Sequence, residues 1–135
     1  MQASLRWIGA GATLMALAGC MPPQVAARAD YQTFCAGCHG AGGKGDGPVA
    51  DDLARRPADL TTIAARNGGV FPRVAVMSTI DGYTRRDQHG SAMPEMGPLI
   101  EEGELVLVDT GDGVMTPTPA RLVALAAYLE TIQEP

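Results

Sequence analysis

A single, mainly α-helical domain with one small β-hairpin near 105–115 is predicted from three observations. Leu122, Leu125, Ala126, Leu129 and Ile132 recur at helical spacing near the C-terminus. An amphipathic run from about Ala26 to Cys35 predicts a second helix near the N-terminus. Only Leu105-Val-Leu-Val108 has the β-branched texture of a strand, and a turn cluster, Asp109-Thr-Gly-Asp-Gly113, follows it. With 135 residues, the chain holds one domain at most.

Residues 1 to 19 stand outside that domain. Met1 to Arg6 form a short n-region with one positive charge, and Trp7 to Ala18 are apolar but too few for a permanent bilayer span. Leu17-Ala18-Gly19-Cys20 resembles the lipobox of bacterial lipoprotein signals, which implies cleavage before Cys20 and diacylation of its sulfur. A plain secretory signal is the alternative. More than one hydrocarbon chain anchors a protein firmly where a single chain does not. The expectation is an exported protein, lipid-anchored to a bacterial membrane and facing the periplasm. Residues 20–25 would be the tether, with Pro22-Pro23-Gln24 at its centre, and 26–135 the folded domain. Removing 1–19 takes away Arg6 and no acid, leaving 9 basic against 15 acidic residues, a formal charge of −6. Such a balance argues against nucleic acid and favours a partner with a basic docking face, although acidity for solubility alone is an equal reading.

The first helix runs into Phe34-Cys35-Ala-Gly-Cys38-His39. Two thiols three residues apart with a histidine next to the second is the pattern of covalent c-type haem attachment: the thiols add to vinyl groups and the imidazole ligates iron. A redox disulfide would follow a strand, and zinc would need further ligands beyond His39 and the distant His89. With Cys20 lipidated, Cys35 and Cys38 account for the remaining thiols.

Gly40 to Pro48 carries five glycines and a proline in nine residues, permissive of positive φ and of close backbone approach to a flat ligand. It is not a phosphate cradle, for it lacks both the Gly-Lys-Ser/Thr ending and a preceding strand. Val49 to Arg56 fits one or two turns. Asp59 is placed to cap a helix from Leu60 to Asn67 that Gly68-Gly69 would stop, and Pro72 to Ile80 predicts another, with Ile80-Asp81-Gly82 as its exit. For the last helix Thr118 is the expected cap, with Pro119 in the first turn.

These residues resemble the class I cytochromes c over Ala26 to Ile132, the strongest points being Cys35-Ala-Gly-Cys38-His39, the downstream Met93-Pro94 and the Tyr128-Leu129 pair. The resemblance implies the cytochrome c fold, with N- and C-terminal helices crossing over one covalently attached haem c. It also implies that Tyr31 packs near Tyr128, and it puts Ala27 where the family often has glycine. Iron would be held by His39 and a methionine thioether, which raises the potential relative to two imidazoles. Met1 and Met15 leave with the signal, Met21 adjoins the lipid, and Met77 suits an apolar helix face. Pro94 constrains the loop after Met93, so Met93 is the first choice, with Met96, Met115 and His89 the alternatives. Tyr83, Arg85 and Arg86 are the candidates for hydrogen bonds to the haem propionates, a solvated charge pair being an equal account of the arginines. About twenty residues between Leu99 and Thr118 exceed what compact members carry, and read as a structured insertion covering one haem edge or bearing the partner surface.

The expected function is electron carriage by a membrane-anchored mono-haem protein or an attached haem subunit, exchanging electrons with redox partner proteins and catalysing nothing. The rivals are a haem enzyme or gas sensor with an open sixth position, whose polar distal groups would be His89 and Arg85 or Arg86, and a thiol-bearing interaction lipoprotein.

Overall fold

A computed structural model describes residues 22–85, 93–100 and 103–135. Among the described residues are six α-helices and a two-stranded sheet: α1 Pro23–Phe34, α2 Ala36–His39, α3 Ile63–Arg66, α4 Arg73–Asp81, α5 Gly97–Ile100, β1 Leu105–Asp109, β2 Met115–Pro119 and α6 Ala120–Thr131. Single 3₁₀ turns occupy Ala50–Asp52 and Tyr83–Arg85.

Helices α1 and α6 pack together. Small side chains permit the approach: Ala27 on α1 is 1% exposed and Ala126 on α6 is fully buried. One turn along from Ala27, Tyr31 meets Tyr128 at 5.3 Å between ring centroids, tilted by 47°, as the resemblance implied. At the other end of the contact, Arg121 donates to both carboxylate oxygens of Asp30 at 2.6 Å and lies over the Phe34 ring. Leu122, Leu125 and Leu129 turn inward from α6 and join Val76, Met77 and Ile80 of α4 in one core. Each fully buried aliphatic side chain there contributes about 1.5–3 kcal/mol. Met77 is thus a core residue, as its helical position suggested.

Several boundaries differ from expectation. Helix α1 begins at Pro23, inside the expected tether, because proline at the first helical position loses no hydrogen bond. The predicted 60–67 helix shrinks to the single turn α3. Asp59 does not cap it: its Oδ1 accepts from the Thr61 backbone N–H at 2.8 Å and the Thr61 hydroxyl at 2.6 Å, holding a turn ahead of the helix. Those hydrogen bonds hold the Asp59 carboxyl below its usual pKa. Helix α4 ends as its sequence predicts, with Gly82 in the left-handed region at φ 96°.

The hairpin is longer than the run that announced it. Leu105 pairs with Pro119 and Asp109 with Met115 in an antiparallel register. Asp109 Oδ1 accepts from the N–H groups of Gly111 and Gly113, which takes the turn through the positive φ that only these glycines adopt without strain. Thr118 belongs to β2 and is not the cap of α6. Its backbone faces Val106 across the ladder and its hydroxyl donates to Thr116 O, so Pro119 fills the capping position and strand runs directly into helix.

Candidate functional site

The end of α1 delivers the Cys-x-x-Cys-His segment into the core. Cys35 terminates the helix with its N–H on Tyr31 O, and α2 follows at once, with His39 N–H bonded to Cys35 O at 2.9 Å. A spacing of three on this turn sets both cysteines on one side of the backbone. Cys35 and Cys38 are half-buried and not joined in a disulfide. Burial first, then the negative charges of Asp30 and Cys38, push the Cys35 thiol up to about 11. Tyr31 seals the other side, its hydroxyl donating to Gly40 O at 2.7 Å just beyond the histidine. Its phenol is pushed up to about 12, by burial above all and then by Cys35, Tyr128 and Asp46.

His39 is oriented from outside its own helix. Its Nδ1 lies 2.9 Å from Ala58 O, so Nδ1–H donates and the Nε2 lone pair is left for a metal. The glycine loop is what brings Ala58 there. Gly45 N–H donates to His39 O and Gly47 N–H to Cys38 O, Leu60 N–H donates to Gly43 O, and Arg56 Nε donates to Gly45 O. A Cβ on Gly45 would stand 2.3 Å from Pro57 O, and one on Gly47 2.3 Å from Gly37 O. The close approach expected of these glycines is therefore to the chain's own backbone around the haem motif. Gln133 then fastens the 58–64 segment to the C-terminus: its Nε2 donates to Leu60 O and Leu129 O, and its Oε1 accepts from Ala64 N–H.

A cavity of about 310 Å³ opens beside this motif. Cys35, His39 and Met93 share its wall with apolar side chains including Ile63, Val76 and Leu125. Met93 reaches it because the segment after it is pinned to α4: Met96 N–H bonds Ile80 O at 3.2 Å, and Glu95 packs where a Cβ of Gly82 would stand, 2.9 Å away. A thiol, an imidazole with a free lone pair and a thioether on the wall of an apolar cavity, with the second thiol, Cys38, off that wall but three residues along the same turn, fit a covalently held haem.

The other candidates fall elsewhere. Met96 is a core residue at 7% exposure and Met115 is 53% exposed on the outer face of the hairpin; neither lines the cavity. Tyr83 is 67% exposed and also off the cavity wall. The Arg85 side chain, Arg86, His89 and Cys20 lie outside the described residues. Sequence reasoning missed Arg66, Asn67 and Thr79, which bring polar groups to the cavity. It also missed Ala58, Gln133 and the room that Gly82 leaves for Glu95. A cation within the stretch read as a helix, close to an apolar face, was the one available signal for Arg66.

A fold of crossed terminal helices around a cavity bearing Cys-x-x-Cys-His defines a covalent haem protein. The family model for cytochrome c matches residues 25–133, and the chain belongs to that family. It is an electron-transfer haem protein with one covalently bound haem c. Neither curated proteins nor solved structures gave a significant match.

Proposed function

We propose that the protein is a lipid-anchored, mono-haem electron carrier, free or attached to a larger redox complex, on the periplasmic side of a bacterial membrane. In this reading Cys35 and Cys38 would hold the haem as thioethers, and His39 Nε2 and Met93 Sδ would ligate its iron. The observation that carries it is that Met93, from a separate segment, lines the same cavity as Cys35 and His39. Bound there, the haem supplies a one-electron couple. Ala58 O holds the imidazole in one tautomer and orientation, while Pro94 and the Met96–Ile80 hydrogen bond limit the thioether's freedom. Fixed ligands change little between oxidation states, which favours electron transfer over substrate binding at iron.

Anchoring rests on the Leu17-Ala18-Gly19-Cys20 segment alone, and among the described residues no helix is long and apolar enough to cross a membrane. The experiment is carbon monoxide titration of the reduced holoprotein, with fractionation of cells making wild type and Cys20→Ser. A carrier leaves the reduced spectrum unchanged under carbon monoxide, wild type sediments with membranes, and Cys20→Ser is released. Ready carbon monoxide binding would shift the reading to an enzyme or sensor with a displaceable sixth ligand. A Cys20→Ser protein that stays with membranes would remove the lipid anchor from the proposal.

A further inference from the structure

The hairpin presents different surfaces on its two faces. Val106, Val108, Thr116 and Thr118 face inward, where Val108 packs on the core and Thr118 is 9% exposed. On the outer face Leu105, Leu107 and Met115 are 57%, 62% and 53% exposed, and Val114 in the turn is 61% exposed. An antiparallel ribbon with one face in water ordinarily carries polar residues on that face. Contiguous exposed apolar side chains with a polar surround mark interaction surfaces. The hairpin stretch itself is acidic: from Gly103 to Ala120 the sequence has no Lys or Arg, while Asp and Glu occur three times. Glu104, Asp109 and Asp112 flank the apolar patch itself, and all three are exposed.

We infer that this outer face docks a redox partner protein whose contact surface has an apolar centre and a basic rim; the inference rests on the electron-carrier reading above. Charge complementarity selects the occupant. A second copy would set acid against acid, and an anionic lipid surface would repel the same groups. Leu107 and Met115 give the complex its dwell time, and the acidic rim speeds encounter with a basic partner. The platform is fixed relative to the haem cavity. Ala120 N–H bonds Glu104 O at the base of the hairpin, and β2 continues into α6, whose Leu125 and Leu129 line the cavity.

The test is stopped-flow electron exchange between the holoprotein and membranes of the organism that makes it, at low and high ionic strength, for wild type, Leu107→Ser and Leu107→Lys. Reduction by a neutral hydroquinone serves as a reaction that needs no docking. Wild type should slow as salt rises. Leu107→Ser should slow several-fold and keep its salt dependence, and Leu107→Lys should slow at least ten-fold at low salt, with spectra and hydroquinone rates unchanged in both. Wild-type rates in Leu107→Lys overturn the docking site, and a wild-type rate that rises with salt overturns the basic rim. A wild-type dimer in sedimentation that Leu107→Lys dissociates gives the face to a second copy and overturns the proposal. Leu107-dependent flotation with phosphatidylglycerol vesicles overturns it in favour of lipid. If the membranes exchange no electrons with wild type although the hydroquinone reduces it, the carrier reading fails and the docking site fails with it.

Discussion

Tyr31 joins three parts of the molecule: the packing of α1 on α6, the carbonyl that follows His39, and the cavity wall. Its raised pKa has a definite consequence for stability. The unfolded chain ionises tyrosine near 10 and the folded chain near 12, so the unfolded state loses its proton first. Stability linked to Tyr31 is complete below about pH 10 and is lost as pH rises to about 12. Denaturant unfolding of wild type and Tyr31→Phe at steps from pH 8 to 12 reads this directly. The variant should be about 1 kcal/mol less stable at pH 8, from the lost hydrogen bond to Gly40 O, and the gap should narrow above pH 10. Arg66 offers a second residue-level expectation. Its guanidinium sits at the cavity wall, bonded to Asp59 O at 2.9 Å and to the Thr62 hydroxyl. A cation there disfavours the more positive oxidised haem, so Arg66→Gln should lower the reduction potential in a redox titration. At this scale the Cys35, Cys38 and His39 motif was legible because its chemistry lies within five consecutive residues. Ala58 and Gln133 were not, because their partners lie 19 and up to 73 residues away in sequence.

Elements were legible where a pattern is local and obscure where tertiary pairing overrides it. The apolar stripe of α6 and the Pro72 to Gly82 boundaries of α4 could be read from spacing and breakers. Thr118-Pro119 looked like a helix start, yet β1 claims Thr118 for its ladder. Asp59 looked like a cap, yet its own turn with Thr61 lies nearer. Two expectations belong to this scale. At Gly82, φ is 96° and a Cβ would strike Glu95; Gly82→Ala should cost at least about 1–2 kcal/mol for the left-handed backbone alone and push the Met93 segment away, weakening thioether ligation in the optical spectrum. Gln133→Ala removes two hydrogen bonds to the 60–64 segment and one to Leu129 O, and should destabilise the fold by about 1–3 kcal/mol. Amide hydrogen exchange should locate the loosening at Ala64, with α1 still protected.

Over the whole molecule the described residues surround an apolar cavity by crossing the terminal helices and tying the C-terminus back to the middle of the sequence. Glu134 N–H bonds Thr61 O, Lys44 pairs with Glu134, and Arg73 with Glu130. The two ion pairs are exposed and contribute little to stability; the buried contacts along α4 and α6 carry it. Fold class and cofactor followed from the sequence because the haem motif and two amphipathic helices constrain each other. The outer face of the hairpin did not, because which residues of a strand meet water depends on the register. The most informative single measurement is the optical spectrum of the ferric holoprotein in the far red, where thioether-ligated haem has a charge-transfer band, for wild type, Met93→Ala and Met96→Leu. The band should be present in wild type and Met96→Leu and absent from Met93→Ala. Persistence of the band in Met93→Ala, or its loss in Met96→Leu alone, would contradict the assignment of Met93 as the second ligand.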